Sequence, residues 1–208
     1  MPRLKRPSFA FEDEYTGIVC GLDEVGRGPL AGPVVAAAVI IRRDVMPKKI
    51  LREINDSKKI PEAKRAILWE QIHEYAEVSI AECSVGEIDT INILQASLRA
   101  MGLALAGLKI KPDVALVDGN QSPALPCPVK TIIGGDGLSF SIAAASIVAK
   151  HYRDNLMIKI ANDFPHYGWE TNAGYGTAHH LQALEKHGVT PHHRRSFAPV
   201  AQRLLKTA

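Results

Sequence analysis

Two adjacent carboxylates beside a glycine-rich turn are the side chains of this chain best suited to chemistry. Asp23 and Glu24 follow an apolar run typical of a buried strand, and Gly26, Arg27 and Gly28 come directly after them. Carboxylate oxygens suit hard divalent cations, and exposed amides beside an arginine suit a phosphate group. The stretch therefore predicts a metal site next to a phosphate-binding turn. A solvated acidic pair at a strand end is the alternative.

Regular strand geometry sets a condition on this acidic pair. Successive side chains of a strand point to opposite faces, so Asp23 and Glu24 share one site only if the strand ends or kinks between them. The glycines that follow permit such a break. We therefore predict that the first strand, residues 17–23, ends at Asp23.

Asp118 and Asp136 also lie next to glycine, each after a further apolar run that is typical of a strand. Acidic groups repeated at strand ends can converge on one edge of a sheet. Two Mg²⁺ or Mn²⁺ ions roughly 3.5–4 Å apart, held there by oxygen ligands, can clamp an in-line displacement at phosphorus. Taken singly, Asp118 is equally explained as a turn residue, and Asp136 as a turn residue or a helix cap.

Apolar periodicity predicts the elements that must position these acids. Further strands are predicted over residues 33–41, 78–85, 114–117 and 129–133. Helices are predicted over residues 62–76, 87–108, from 139 onward, 177–187 and 198–205. Strands mixed with helices indicate an α/β layer architecture. We predict a flexible arm over residues 1–15, a catalytic domain over 16–164 and a helical C-terminal substrate-binding part over 165–208.

Composition limits the classes of protein to which the chain can belong. Its 208 residues carry a net charge of +3, which permits nucleic-acid binding without requiring it. Its three cysteines are too widely spaced for a disulfide framework or a zinc knuckle. Two histidine pairs suggest zinc, but they lack an H-E-x-x-H pattern and a cysteine partner. No apolar run is long enough to span a bilayer, so we expect a protein that binds no membrane. We also expect it to be cytoplasmic and monomeric.

The segment DEVGRGPLAGPVVAAAVI, residues 23–40, resembles the opening motif of the type 2 ribonucleases H, the family called ribonuclease HII in bacteria. Other family motifs follow in the family's order: NDSKKI (55–60), NIL (92–94), LVDGN (116–120), GGD (134–136), SIAAASIVAK (141–150), GYGT (174–177) and HRRSF (193–197). The resemblance covers about residues 17–197, which is nearly the whole chain.

The resemblance implies a ribonuclease H-like fold, a mixed five-stranded sheet flanked by helices with a small helical C-terminal part. It implies an endonuclease that hydrolyses the RNA strand of RNA–DNA hybrids and cuts 5′ to ribonucleotides embedded in duplex DNA, leaving 5′-phosphate and 3′-hydroxyl ends. Such an enzyme removes ribonucleotides during DNA replication and repair. The family's Mg²⁺- or Mn²⁺-binding carboxylates fall on Asp23, Glu24 and Asp118, and its fourth active-site acid on Asp136, with two ions expected when substrate is bound.

The family pattern also implies substrate contacts. Its turn that contacts the nucleic-acid backbone and senses the 2′-hydroxyl falls on Gly26, Arg27 and Gly28, and its tyrosine that stacks on the deoxyribose side falls on Tyr175. Without the motif, Tyr175 is an ordinary packed aromatic. Basic residues that are candidate phosphate contacts, with solvated charge as the alternative, are Lys58, Lys59, Lys150, Arg153, Arg194 and Arg195, of which Lys58 and Lys150 occupy family motifs.

Four positions depart from the common family pattern. Gly134 and Ala173 stand where many members carry lysine, and His151 and Tyr152 stand where smaller or aliphatic residues are frequent. These departures leave phosphate affinity and substrate preference open. Two rival functions also remain: another nuclease or strand-transferase on the same scaffold, and a nucleic-acid-binding module without catalysis.

Overall fold

A mixed five-stranded sheet lies at the centre of the molecule. The structure is a computed structural model and describes residues 6–206. The strand order is β3–β2–β1–β4–β5, in which β1 pairs parallel with β4, β4 parallel with β5, and the other neighbours antiparallel. The strands are β1 (Val19–Val25), β2 (Val34–Ile41), β3 (Ala76–Cys83), β4 (Val114–Asp118) and β5 (Val129–Ile132). The predicted mixed five-stranded sheet is confirmed.

Helices cover both faces of this sheet. They are α1 (Lys48–Leu51), α2 (Glu62–Tyr75), α3 (Val85–Ala106), α4 (Phe140–Asp163), α5 (Trp169–Asn172), α6 (Ala178–His187) and α7 (Ala198–Leu205). Helices α2 and α4 pack on one face, and α3 packs on the other. Strand β2 separates the two layers, because Val35 and Val39 face α4 while Val34 and Ala38 face α3. A strand buried on both faces is a continuous apolar run in the sequence, as β2 is.

Helix α4 lies directly against strand β1, with no side chain between them at one point. A Cβ atom placed on Gly21 would come within 2.1 Å of the carbonyl carbon of Ser141, in the first turn of α4. The three alanines at the centre of this helix, Ala143, Ala144 and Ala145, are fully buried. The helix predicted from residue 139 onward is therefore confirmed, and its small residues permit the close approach.

The first described residues pack on the core. The Glu12 side chain is only 2 % exposed, and its Oε1 atom accepts hydrogen bonds from the Ser139 hydroxyl at 2.7 Å and the Ser141 amide at 2.9 Å. The Phe9 ring lies 4.8 Å from that of Phe140. The prediction of a flexible arm is therefore wrong for residues 6–15, because this segment caps the start of α4. Residues 1–5 of the predicted arm lie outside the described residues.

Helix α3 contains a break that the sequence pattern did not predict. It begins at a capping box between Ser84 and Glu87, two residues before the predicted start. At Asn92 the backbone turns to φ 67° and ψ 164°. The Asn92 side-chain oxygen then accepts hydrogen bonds from the amides of Leu94 at 3.0 Å and Gln95 at 3.1 Å. Asn92 thus acts as the N-cap of the second half of the helix.

Other predicted boundaries are confirmed or shifted by small amounts. Strand β3 begins two residues earlier than predicted, and the short helix α1 lies in a segment predicted to be a connection. The helix predicted over residues 177–187 is α6, and Thr177 caps it through a 3.3 Å hydrogen bond from the His180 amide. The predicted boundary near Phe164 coincides with the end of α4, and α5–α7 follow it. None of the helices in residues 6–206 is long and apolar enough to cross a bilayer.

Candidate active site

One edge of the sheet gathers the four acids predicted from the sequence. Strands β1, β4 and β5 are parallel, so their carboxyl ends meet at the same edge. The register pairs Leu22 with Val117, which brings Asp23 level with Asp118 on the neighbouring strand. Asp136 follows β5, and its amide donates a 3.4 Å hydrogen bond to Asp118 Oδ1.

The acids reach this edge without the strand break that we predicted. Strand β1 keeps its register with β2 through Asp23 and Glu24 to Val25, so the prediction that the strand ends at Asp23 is wrong. Asp23 consequently faces α4, where the nearby Ser146 hydroxyl favours its charged form and so lowers its pKa. Glu24 faces α3 and lines a cleft with Arg27 and Asp118. Asp118 on the neighbouring strand interacts with both carboxylates and so links the two faces.

Crowded negative charge changes the protonation of these groups. Burial raises the pKa of Asp23 well above its usual range, and the carboxylates of Glu24, Asp118 and Asp136 raise it further. Burial also raises the pKa of Glu24, against the opposing effect of Arg27. The pKa of Asp136 is raised by burial and then by Asp118. The four acids therefore form one electrostatic unit.

The glycine-rich turn lies beside this unit and faces Tyr175. Gly26 is buried with φ 94°, whereas Arg27 and Gly28 are exposed. A Cβ atom at Gly28 would lie 3.3 Å from the ring of Tyr175, which is 46 % exposed. The Leu30 amide donates a 2.8 Å hydrogen bond to the Gly174 carbonyl, which ties the turn segment to the tyrosine segment.

Comparison with known proteins explains this arrangement. The family model described as Ribonuclease HII matches residues 20–200. The chain belongs to the ribonuclease HII family. It is 57 % identical over 199 residues to the ribonuclease HII of Paramagnetospirillum magneticum, covering 96 % of this chain and 99 % of that one. It is 51 % identical to the ribonuclease HII of a Wolbachia strain from Culex pipiens, covering 95 % and 98 %.

Solved structures agree with the family on the fold. The ribonuclease H2 of Pyrococcus horikoshii superposes with a TM-score of 0.78 at 25 % identity, covering 90 % of this chain and 97 % of that one. The Bst-RNase HIII crystallised with Mn²⁺ superposes at 0.71 and 17 % identity, covering 91 % and 70 %, which supports the fold alone. As a ribonuclease HII family member, this chain is a metal-dependent ribonuclease H endonuclease that acts on RNA–DNA hybrids.

The acids of this ribonuclease HII family member have the ligand chemistry of a divalent-metal site. Among residues 6–206, no three His, Cys, Asp or Glu side chains form a ready-made cluster for a metal ion. Glu24 instead pairs with Arg27 at 3.4 Å, and Asp23 Oδ1 accepts the Glu24 amide at 2.8 Å. However, a hard cation would relieve the repulsion that raises the pKa of these carboxylates. We therefore judge that the donor set fits Mg²⁺ or Mn²⁺.

The two lysines in family motifs occupy different surroundings. Burial disfavours the charge of Lys58, but Asp136, Asp56 and Asp23 outweigh that effect and raise its pKa, so this lysine lies beside the acids. Lys150 Nζ is paired with Asp154 at 2.6 Å, and Asp154 is also paired with Arg65 at 3.0 Å. Lys58 therefore has the stronger case as a phosphate contact.

Two of the other basic candidates were wrongly predicted. Arg153 and Arg194 are 1 % and 0 % exposed, so they cannot touch substrate directly. Arg195 is exposed, and Lys59 pairs with Asp56 at 3.2 Å. The departures Gly134 and Ala173 both adopt left-handed backbone conformations, with φ 67° and 49°.

The histidine pairs form an internal network that the sequence did not reveal. His180 Nε2 accepts a 3.1 Å hydrogen bond from Trp169 Nε1 and lies 3.1 Å from His193 Nε2. His180 Nδ1 therefore carries the hydrogen and donates to the Tyr175 carbonyl at 2.9 Å. His193 Nδ1 accepts the Thr190 amide at 3.0 Å. The network holds the backbone of Tyr175, and its only signal in the sequence was two pairs of adjacent histidines.

Proposed function

We propose that this chain hydrolyses the RNA strand of RNA–DNA hybrids and cuts 5′ to ribonucleotides embedded in duplex DNA, leaving 5′-phosphate and 3′-hydroxyl ends. Its role would be the removal of ribonucleotides during DNA replication and repair. One observation carries the proposal: the four acids meet at one sheet edge, directly beside a turn that faces Tyr175. Hydrolysis and recognition of an RNA-to-DNA junction both need groups at that place.

The Mg²⁺ or Mn²⁺ ions would be held by the four acids, Asp23, Glu24, Asp118 and Asp136. Two ions would be present when substrate is bound. When bound, such ions supply Lewis-acid activation and stabilise charge on phosphorus oxygens. The Ser146 hydroxyl lies close enough to Asp23 to favour its charged form. Lys58 supplies a positive charge beside the four acids. Its raised pKa keeps it protonated, so that it can contact a substrate phosphate.

Junction recognition would use the turn and the tyrosine together. The exposed backbone of Arg27 and Gly28 can meet a phosphate and a 2′-hydroxyl, which distinguishes RNA from DNA. Tyr175 faces Gly28 and can stack on the sugar of the adjoining deoxynucleotide. The turn and Tyr175 would thus recognise the sugars on the two sides of the cut, and neither would recognise base sequence.

We further propose that the chain acts as a monomer in the cytoplasm. All four acids, the turn and Tyr175 come from one chain, so the site needs no second copy. The three cysteines are free, and two of them, Cys20 and Cys83, are buried, which suits a reducing compartment. Nucleic acid would be its partner: RNA–DNA hybrid or ribonucleotide-containing duplex.

Cleavage assays with three end-labelled duplexes test this proposal. One carries a single ribonucleotide in DNA, one is a continuous RNA–DNA hybrid and one is DNA throughout, each incubated with Mg²⁺, Mn²⁺ or a chelator. We expect metal-dependent cutting of the first two duplexes and none of the third. Equal cleavage of the all-DNA duplex would favour a general nuclease on this scaffold. No cleavage in either metal would favour a binding module.

A further inference from the structure

A buried arginine lies directly beneath the glycine-rich turn. The Arg194 side chain is fully buried, and its Nη2 and Nη1 atoms donate hydrogen bonds to the carbonyls of Gly26 at 2.5 Å and Arg27 at 3.0 Å. Its Nε atom donates to the Gly32 carbonyl at 3.0 Å. One guanidinium group from the C-terminal part of the chain thus holds three carbonyls of the turn segment.

This buried cation lacks a carboxylate partner. Within residues 6–206, neither Arg194 nor its neighbour Arg153 forms a salt bridge, and Arg153 likewise donates to three carbonyls, those of Ala31, Pro33 and Ala173. Burial, and then Arg153, lowers the pKa of Arg194 to about 9, which still leaves it protonated at neutral pH. Burying a charge is costly, and here the carbonyl dipoles offset that cost, with Asp89 and Asp154 acting on the two guanidinium groups at longer range.

Arg194 fixes the direction of two surface amides through the geometry of their peptide groups. In a trans peptide unit the C=O and N–H bonds point in opposite directions, and every peptide bond of the described residues is trans. The carbonyls of Gly26 and Arg27 point down to Arg194, so the amides of Arg27 and Gly28 point away from it. Both residues are exposed, and neither amide donates to an acceptor within the described part of the chain. Two successive free amides form an anion-binding nest.

We propose that Arg194 is a positioning residue for substrate recognition: by holding two carbonyls of the turn from below, it aims the amides of Arg27 and Gly28 at one backbone phosphate of the nucleic acid. The inference rests on the proposed function, because that function supplies the duplex. Arg194 does not touch the substrate. It acts through two peptide groups, and its charge adds to the attraction for the phosphate.

Binding measurements with a neutralised phosphate test the inference. The chain is studied in an Asp23→Asn background, which prevents cleavage, with a duplex that carries one ribonucleotide. Each phosphate near the ribonucleotide is replaced in turn by an uncharged methylphosphonate. We expect one replacement to weaken binding about tenfold or more for this protein, because it removes the anion in the nest.

Arg194→Lys is then compared with Arg43→Lys, an exposed arginine beyond the opposite end of β2. Lysine keeps the charge but cannot span three carbonyls. We expect Arg194→Lys to weaken binding of the unmodified duplex about tenfold. In this variant, the methylphosphonate at the sensitive position should weaken binding by less than about a further twofold. Arg43→Lys should bind the unmodified duplex like its parent and keep the full methylphosphonate penalty. In the Asp23 enzyme, Arg194→Lys should raise KM with little change in kcat.

The outcomes separate the inference from the function on which it rests. An unchanged methylphosphonate penalty in Arg194→Lys would contradict the positioning role, even if the variant bound weakly overall. If Arg194→Lys does not fold, the methylphosphonate series measured with the Asp23→Asn chain is the test. If no phosphate beside the ribonucleotide is sensitive to replacement, the anion-binding nest is refuted. A parent enzyme that binds with the expected penalty but cuts no duplex would contradict the proposed function alone.

Discussion

Asp23 is held in the least favourable electrostatic position of the four acids. It is 6 % exposed, burial raises its pKa, and three other carboxylates add to that effect. Its compensation is the hydrogen bond from the Glu24 amide, together with the nearby Ser146 hydroxyl, which lowers its pKa. A residue kept at such a cost is a strong candidate for function, because a neutral side chain there would serve stability better.

Asp23→Asn separates these two effects. We expect cleavage to fall roughly a thousandfold or more, because the proposed metal ligand loses its negative charge and one of its two oxygens, while hybrid binding changes little. The thermal midpoint without metal should not fall, since the amide relieves repulsion among the acids. Steady-state cleavage, binding and thermal unfolding measure the three quantities, with the exposed Asp44→Asn as control. Parallel loss of binding and cleavage would argue against a purely catalytic role.

His193 gives a residue-scale prediction about pH. Burial, and then His180 and His192, lowers the pKa of His193 to about 3, and the Thr190 amide donates to the nitrogen that would take the proton. The folded pKa lies below the unfolded value of about 6.5, so the stability due to neutral His193 is lost as pH falls through that value. At about pH 5, we expect a loss of about 2 kcal/mol from this residue.

His193→Asn tests this by denaturant unfolding at about pH 7 and about pH 5. The variant is expected to lose less unfolding free energy between the two conditions than the parent, by about 2 kcal/mol. The acids Asp23, Glu24 and Asp136 have raised pKa values and shift stability the opposite way, but they are common to both proteins. An identical pH dependence in the variant would show that His193 does not contribute.

At the scale of elements, the break in α3 sets one wall of the acidic cleft. The second half of this helix begins after Asn92 and supplies Leu94 and Leu98 to the cleft that Glu24 and Asp118 line. A straight helix would direct these side chains differently. The break depends on one exposed asparagine, which combines an unusual backbone conformation with a helix cap.

Asn92→Ala and Asn92→Gly separate the backbone from the cap. Both remove the capping oxygen, but glycine adopts φ 67° and ψ 164° without strain, whereas alanine does not. We expect Asn92→Ala to lower the free energy of unfolding by about 2 kcal/mol and Asn92→Gly by less than about 1 kcal/mol. Denaturant titration measures both values. Equal losses in the two variants would mean that backbone strain is unimportant at this position.

The elements also mark the limit of prediction from sequence. The bounds of β2 and α2 were predicted almost to the residue, because β2 is a continuous apolar run and α2 begins directly after Pro61, which suits the first turn of a helix. The course of β1 past Asp23 was not, because pairing with β2 overrides the local preference of two acids to leave a strand. The break at Asn92 was not predicted either, because it depends on the φ and ψ angles of one residue, which do not change the hydrophobic pattern of the sequence.

At the scale of the molecule, the C-terminal part supports the proposed active site. Arg194 holds the turn, His180 holds the Tyr175 backbone, and the Gly32 amide donates to the His192 carbonyl at 2.9 Å. Motif order predicted the fold, and the family resemblance assigned the four acids that the structure brings to one edge of the sheet. The buried arginines were misassigned to the surface, because a sequence does not reveal which carbonyls will surround a cation.

These links predict that residues 16–164 and 165–208 do not unfold independently. We expect a single calorimetric transition whose enthalpy equals the van't Hoff value, because the turn segment and the C-terminal part share buried polar contacts. A chain that ends at Asp163 should fail to show a cooperative transition. Two resolved transitions in the full chain, or cooperative unfolding of the shortened one, would instead support two separate folding units.

The contact between Gly21 and the backbone of α4 bears on how tolerance to substitution should be interpreted. Any side chain at this position must push the helix off the sheet, and Ser146 on that helix lies near Asp23, two residues along the same strand, and favours its charged form. A saturation library selected for activity would reject nearly every replacement of Gly21, although this residue meets neither metal nor nucleic acid. In this chain, a ranking of positions by mutational intolerance would therefore mix the groups that do the chemistry with a spacer that merely keeps two backbones together.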